Sequence, residues 1–172
     1  MGFAGALRRS ELVALDVAHL KVSDEGFVVT IAKSKTDQEG EGQKIAIPRV
    51  PEAPYCPVHA ALEWMAMAGI EQGALFRRVT KGNKLTADRL TDQSVARVIK
   101  RVAARAGLMA SQCAGHSLRS GFLTSAAEQR ASLFKMRAQS RHKSLDVLSG
   151  YVRAKKLFED HAGEGLLKGS GD

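Results

Sequence analysis

The chain has 172 residues and a formal net charge of +8, with 26 Lys plus Arg against 18 Asp plus Glu. This length accommodates one domain with a sizeable core, and a hydrophobic fraction of 44% excludes a disordered or collagen-like chain. No run of 18 apolar residues predicts a membrane helix, and two cysteines are too few for a disulfide scaffold. No signal peptide is recognisable, so the sequence predicts a cytoplasmic protein.

The first half of the chain predicts a helix, a hairpin and a second helix. Residues 3–15 predict a helix that is broken or bent near Ser10, where a Ser-Glu pair before apolar residues resembles a helix start. Residues 27–32 and 43–48 predict the strands of a β-hairpin with a polar tip over 33–42. Pro57 is typical of a first helical residue and predicts a helix over 57–68. Met1 leads directly into an apolar stretch with no helix-capping residue, so we expect this sequence to be a fragment of a longer protein.

The second half predicts mostly helices. A short strand is predicted over 74–77 and a polar, basic loop over 79–90. The clearest helix covers 91–106, with Thr91 as its cap and Gly107 as its end. Shorter helices are predicted over 117–129, 131–139, 144–153 and 154–161. The predicted fold class is therefore α+β, mainly helical, with a small antiparallel sheet packed on helices. A domain over 1–162 and a flexible tail over 163–172 are expected.

The basic residues are concentrated in two segments. Residues 76–105 and residues 119–156 each hold nine basic and two acidic side chains, so the remaining residues sum to −6. This distribution favours a face that binds a polyanion, most simply nucleic acid. Solvated helix faces are the alternative explanation of the same charges.

Six polar residues have positions that packing does not require. They are Arg8, Lys35 on the hairpin tip, His116 and Arg119 in an H-x-x-R pair, His142, and Tyr151 nine residues later. At a spacing of three, the first histidine and the second arginine share one helical face. Each residue alone has an ordinary explanation, such as an ion pair of Arg8 with Glu11, a helix cap, or an amphipathic tyrosine in the core.

Taken together and in this order, the six residues resemble the tyrosine recombinase (phage integrase) family. The matching segments are Arg8-Arg9-Ser10-Glu11, KSKT around Lys35, GHSLRSGF, RHKSL and GYVR. The resemblance runs from about residue 2 to about residue 165. The sequence departs from the family at Arg141, because the family usually has glycine before the second histidine. It also lacks the N-terminal core-binding domain and a preceding helix that family members usually carry.

The resemblance implies a reaction that needs no metal or other cofactor. Tyr151 would attack a DNA phosphodiester and form a 3′-phosphotyrosyl link. Arg8 and Arg119 would stabilise the charge of the transition state, and Lys35 would protonate the leaving 5′-oxygen. His116 would accept the tyrosine proton or orient the phosphate, and His142 would donate to a nonbridging oxygen. Glu11 would orient Arg8 or a histidine.

The resemblance also implies partners. Double-stranded DNA would be held at its backbone by nine basic residues, namely Arg77, Arg78, Lys81, Lys84, Arg97, Lys100, Arg101, Lys143 and Arg153. Other recombinase protomers, in a tetrameric synapse on DNA, and the missing core-binding domain are the expected protein partners, and no membrane is involved. The stretch 154–167 would dock either on a neighbouring protomer or on its own chain.

Three alternatives stay open at this point. Cys56-x-x-His59 and Cys113-x-x-His116 have a spacing that two halves of a Cys₂His₂ zinc site would show. The chain is otherwise explained as a non-catalytic DNA-binding remnant of an integrase. Relaxation of DNA by the same chemistry, as in type IB topoisomerases, is the third alternative.

Overall fold

A computed structural model describes residues 1–31, 42–51, 55–113 and 116–153, without the side chains of residues 152 and 153. The chain divides into two compact units, Met1–Phe122 and Leu123–Asp172. The predicted tip of the hairpin with Lys35, the helix over 154–161 and the tail lie outside the described residues.

The first unit contains a three-stranded antiparallel sheet. Its strands are β1 (Leu20–Ser23), β2 (Gly26–Ile31) and β3 (Gln43–Pro48), in that order across the sheet. Val29 lies opposite Ile45 and Phe27 opposite Ile47, and all four side chains are buried. Apolar and polar residues alternate along these strands, and successive side chains of a strand point to opposite faces. The apolar side chains therefore lie on the face of the sheet that packs on the core. The predicted hairpin is confirmed as β2 and β3.

Strand β1 was not predicted because it is short and mostly exposed. Its four residues pair with β2 from Leu20 opposite Val29 to Ser23 opposite Gly26. Gly26 has φ +141°, and a Cβ there would lie 2.2 Å from the carbonyl oxygen of Ile47. Only glycine fits this close approach of two backbones, so the turn after β1 depends on this residue.

Three helices of the first unit precede α4. They are α1 (Arg9–Val13), α2 (Pro57–Met67) and α3 (Asp92–Arg105). The predictions of α2 and α3 are confirmed, with Pro57 in the first turn and Thr91 accepting a hydrogen bond from the Ser94 N–H at 3.2 Å. Helix α4 (Ser117–Glu128) begins in this unit, and short 3₁₀ turns cover Val17–His19 and Ala110–Gln112.

The prediction of a helix over 3–15, broken or bent near Ser10, is wrong for its first part. Residues 2–6 form turns, and Ala6 has φ +46°, a left-handed conformation that an α-helix cannot contain. The helical part is only α1, and its N-cap is Arg8, two residues before Ser10. The apolar spacing of this stretch reflects burial of Ala6, Leu7 and other side chains in a turn, which periodicity alone does not separate from a helix.

The predictions for residues 74–90 are also wrong in part. The strand over 74–77 is displaced to β4 (Arg77–Val79), and the predicted loop contains β5 (Leu85–Arg89), which pairs with it. The turn between them includes Asn83 with φ +56°, a conformation that asparagine tolerates. Both strands are polar and half exposed, so no alternating pattern indicated them.

The core of the first unit gathers side chains from α1, the three-stranded sheet, α2, α3 and the loops. The buried members are Leu7, Leu12, Leu15, Phe27, Val29, Ile31, Ile45, Ile47, Cys56, Val58, Ala61, Leu75 and Val95. The second unit contains the rest of α4, then α5 (Leu133–Ser140) and α6 (Leu145–Arg153), with Leu123, Met136 and Leu148 fully buried. Across the described ranges, no helix has the length and apolar character that crossing a membrane requires.

Arg89, at the end of β5, ties the second hairpin to the end of α1. Its guanidinium donates to the carbonyl oxygens of Val13 at 2.7 Å and Leu15 at 3.1 Å, and to Asp16 Oδ1 at 2.6 Å. The carbonyls at a helix C-terminus lack partners within the helix, so a guanidinium satisfies them and complements the helix dipole. Arg89 therefore fixes where α1 ends.

We predict that Arg89→Ala lowers the free energy of unfolding by about 1–3 kcal/mol, because three hydrogen bonds to a charged donor are lost. Urea unfolding of both proteins measures the difference. Arg105→Ala is the matched control, since its side chain is exposed on α3. Equal stability of the two variants would contradict the role given to Arg89.

Candidate active site

Arg8 and Glu11 form two hydrogen bonds and an ion pair at the start of α1. The Glu11 carboxylate accepts from the Arg8 backbone N–H at 2.8 Å and from the Arg8 guanidinium at 2.6 Å. The first bond satisfies an N–H that the helix leaves without a partner, as in one half of a capping box. The sequence R-x-S-E thus has a local reason, because a carboxylate three residues after the cap fixes both the backbone and the arginine side chain.

Arg119, in the first turn of α4, lies on the other side of the same carboxylate. Its Nη1 is 4.0 Å from Glu11 Oε2 and donates to the carbonyl oxygen of Ala6 at 3.1 Å. The Arg119 side chain is 7% exposed, the Glu11 side chain 13%, and the Arg8 side chain 45%. One guanidinium is therefore buried and rigid, whereas the other is open to a ligand.

The turn over residues 2–6 brings these groups together. A Cβ on Gly2 would lie 2.6 Å from Leu118 Cδ1, and Phe3 packs edge-to-face on Phe122 with ring centroids 5.9 Å apart. The segment before Arg8 therefore packs against the first turns of α4. The left-handed Ala6 directs its carbonyl to Arg119, a contact that no sequence pattern had indicated.

His116 directly precedes α4 and is exposed. Its carbonyl oxygen accepts from the Ser120 N–H at 2.9 Å and from the Ser120 hydroxyl at 3.0 Å. It therefore occupies the cap position of the helix, one turn before Arg119. The ordinary explanation of His116 as a cap holds for its backbone and leaves its ring on the surface.

The second unit carries the other two candidate groups. His142 lies in the turn between α5 and α6, where its Nδ1 is 2.8 Å from the hydroxyl oxygen of Ser140. Arg137 Nε donates to the His142 carbonyl oxygen at 3.3 Å. Tyr151 is a half-buried residue of α6. Ser140 is buried and was not predicted, and its only signal in the sequence is its place two residues before the histidine.

Arg141 has a left-handed conformation, with φ +57° and ψ +37°. It is the residue after the end of α5, and its N–H donates to the Arg137 carbonyl at 2.7 Å. This position commonly requires glycine, because a Cβ disfavours the left-handed region. Arg141 therefore adopts the left-handed conformation that suits glycine, the family's usual residue here, and its backbone is strained.

The candidate DNA-binding residues divide into three groups. Arg77 is engaged in its own loop, donating to the Gln72 carbonyl at 2.6 Å and the Ala74 carbonyl at 3.1 Å. The exposed candidates are Arg78, Lys81, Lys84, Arg97, Lys100, Arg101 and Lys143. The side chain of Arg153 lies outside the described part of the chain, as does the catalytic candidate Lys35.

The proposed zinc ligands do not assemble. Within the described ranges, which include Cys56, His59, Cys113 and His116, no three His, Cys, Asp or Glu side chains are grouped as a metal site requires. Cys56 instead begins α2, where the backbone N–H groups of His59 and Val50 hold the pKa of its thiol below the usual value. The Val50 nitrogen is 3.4 Å from the sulfur.

The chain is similar to known recombinases over nearly its whole length. Residues 2–157 match the model of the phage integrase family. The "Integrase/recombinase xerD homolog" of Selenomonas ruminantium is 41% identical over 162 residues, which are 94% of this chain and 48% of the relative. This chain thus spans about half the length of that relative.

Solved structures have the same fold at low sequence identity. The XerH site-specific recombinase bound to its palindromic difH substrate, in a post-cleavage complex, superposes with a TM-score of 0.69 at 18% identity, covering 90% of this chain and 40% of that chain. The XerA recombinase gives a TM-score of 0.63 at 18% identity, covering 88% and 48%. The chain therefore belongs to the phage integrase family, and the predicted family and fold class are confirmed.

We predict that Glu11→Ala lowers the free energy of unfolding by about 2–4 kcal/mol, because a helix cap is lost and Arg119 loses a nearby counter-charge. Glu11→Gln keeps an acceptor oxygen and should lose less. Urea unfolding measures both, with Glu71→Ala as an exposed control. If Glu11→Ala costs no more than Glu71→Ala, the carboxylate does not organise the two arginines.

We predict that Arg141→Gly raises the free energy of unfolding by about 0.5–1 kcal/mol. Relief of left-handed strain, about 1–2 kcal/mol, exceeds the extra entropy that glycine gains in the unfolded chain. Arg130 also has a positive φ, +58°, after the end of α4, so Arg130→Gly is a matched control for stability. A loss of stability in Arg141→Gly alone would mean that the arginine side chain contributes more than its backbone costs.

Proposed function

We propose that this chain is the catalytic domain of a site-specific DNA recombinase that cuts and rejoins double-stranded DNA through a 3′-phosphotyrosyl intermediate. The observation that carries the proposal is the Arg8–Glu11–Arg119 cluster, with one arginine buried and one exposed. Membership of the phage integrase family supports it, as does the occurrence of His142 and Tyr151 in the family's order.

The reaction is a transesterification in two balanced steps. The Tyr151 hydroxyl oxygen forms a bond to phosphorus, and the bond from phosphorus to the 5′-oxygen breaks. His116 takes the tyrosine proton, and Lys35 gives a proton to the leaving 5′-oxygen. In the second step, a 5′-hydroxyl gives its proton to Lys35 and attacks the phosphotyrosine. The bond from phosphorus to the tyrosine oxygen breaks, His116 returns a proton to Tyr151, and the phosphodiester is restored. Since the energy of the phosphoester is kept in the covalent link, no nucleotide is consumed.

The two guanidiniums provide the electrostatic part of catalysis. Negative charge grows on the nonbridging oxygens as phosphorus becomes pentacoordinate, and forked donors that are already in place stabilise it. Arg119 is held by the Ala6 carbonyl and faces Glu11, so it loses little freedom on binding the phosphate. Arg8 is more exposed, and the short bond to Glu11 limits its motion.

We propose that exposed basic side chains of the first unit bind the DNA backbone. Basic side chains on β4, the following turn and α3 would contact backbone phosphates, which fix position without reading sequence. The solved XerH relative is described in complexes with difH substrate before and after cleavage. We propose the same class of partner here, together with further recombinase protomers in a tetrameric synapse. A core-binding segment would contact the other side of the DNA.

We predict that the chain forms a covalent adduct with a nicked suicide duplex and that Tyr151→Phe abolishes it. Denaturing gels measure the adduct, and peptide mapping locates the link. The chain has two tyrosines, so Tyr55→Phe, at a residue 90% exposed, is a matched control that should keep full activity. Arg119→Lys should slow adduct formation by about 10²–10³-fold, because a lysine cannot replace a forked donor.

The same assay distinguishes the alternatives. Salt-sensitive DNA binding without an adduct, even with a core-binding segment added, would contradict the proposal and favour a non-catalytic DNA-binding remnant. Relaxation of supercoiled plasmid by the monomer, lost in Tyr151→Phe, would favour a topoisomerase activity with the same nucleophile.

A further inference from the structure

Ser140 is the last residue of α5, and its side chain contacts the ring of His142. It is completely buried, and its hydroxyl oxygen is 2.6 Å from the Met136 carbonyl oxygen. The same oxygen is 2.8 Å from Nδ1 of His142. One hydroxyl therefore contacts a backbone acceptor and an imidazole nitrogen at the same time, in the unit that carries Tyr151.

The two distances determine where the protons lie. A serine hydroxyl has one proton and two acceptor lone pairs, and a carbonyl oxygen has no proton. Two oxygens at 2.6 Å need a proton between them, so the Ser140 proton points to Met136. A bare Nδ1 at 2.8 Å would then face an oxygen lone pair, which is repulsive, so Nδ1 carries a proton and donates to Ser140.

We propose that Ser140 is a positioning residue that holds the proton of His142 on Nδ1, so that the ring contacts the scissile phosphate through Nε2 and donates to it only as the imidazolium. The proposal rests on the role of His142 given under the proposed function. A neutral imidazole has one N–H, and Ser140 engages it. Nε2 of the neutral ring is then an acceptor, which repels a phosphate oxygen.

This arrangement ties the strength of the phosphate contact to pH. Within the described part of the chain, the charged residues next to His142 in sequence or in contact with it are Arg137, whose Nε is 3.3 Å from the His142 carbonyl oxygen, Arg141 and Lys143, and Asp146 follows in the first turn of α6. A histidine loses its charge near neutral pH, so the imidazolium that donates through Nε2 becomes scarcer as the pH rises. Without Ser140, the neutral ring would be able to place its single proton on Nε2 and donate at higher pH.

The first test measures the proton directly and does not depend on DNA cleavage. Long-range ¹H–¹⁵N spectra of the full chain distinguish a protonated Nδ1 from a protonated Nε2, and the chain has five histidines to resolve. Loss of one signal set in His142→Asn assigns the ring. We expect Nδ1–H in the neutral wild-type ring and a shift toward Nε2–H in Ser140→Ala. A wild-type ring with its proton on Nε2 overturns the proposal without any variant.

The second test is the pH profile of adduct formation on the suicide duplex from pH 6 to pH 9. Once the ring is mostly neutral, each pH unit lowers the imidazolium fraction about tenfold, so the wild-type rate should fall on the alkaline side. We expect Ser140→Ala to lose rate at low pH and to fall less steeply, so that the ratio of variant to wild type rises about tenfold over the range. Parallel profiles overturn the proposal.

Two controls separate a specific role from a structural one. Ser149→Ala removes a hydroxyl that donates to the Asp146 carbonyl at 2.8 Å in the helix of Tyr151, and its profile should follow the wild type. If the wild type forms no adduct at any pH although its ring carries the Nδ1 proton, the tautomer assignment stands and the catalytic role of His142 fails. The two failures are therefore distinguishable.

Discussion

The Glu11 carboxylate is the constraint on which the candidate site depends. Two guanidiniums repel each other, and a carboxylate at 2.6 Å from one and 4.0 Å from the other offsets that repulsion. The same carboxylate caps the helix that carries Arg8, so the position of one charge and the start of α1 have a single cause. Arg89 then fixes the other end of α1. A helix of only five residues is thus held at both ends by charged groups.

Backbone conformation that ordinary residues avoid recurs where the candidate groups are presented. Ala6 and Arg141 both have positive φ, and each lies beside a group with a proposed role. The Ala6 carbonyl holds Arg119, and the turn at Arg141 places His142 over Ser140. Each position costs about 1–2 kcal/mol relative to the right-handed region. Such strain persists where the surrounding contacts determine the conformation, as the packing of residues 2–6 on α4 does for Ala6.

The two histidines are held in different ways, and this difference agrees with different chemical tasks. The backbone of His116 caps α4 and leaves the residue exposed. The His142 ring is anchored through Nδ1 on a buried hydroxyl. An exposed ring suits the base proposed for the nucleophile, and a ring held through Nδ1 suits a group proposed to contact the phosphate through Nε2 as the imidazolium.

The sequence by itself determined the family, the strong helices, the hairpin and the identity of the six candidate residues. These features rest on short-range rules: alternation of apolar residues at 27–31 and 43–48, the cap at Thr91, proline at 57, and a fixed order of polar residues. The tertiary structure decided what those rules do not contain. The contacts of Arg89 and Arg119 with distant carbonyls join residues far apart in the chain. The turn at Ala6 and the pairing of β4 with β5 are local, but no apolar pattern in the sequence marks them. The place of Ser140 two residues before His142 did not indicate a role, because only folding buries its hydroxyl and places an imidazole nitrogen 2.8 Å from it.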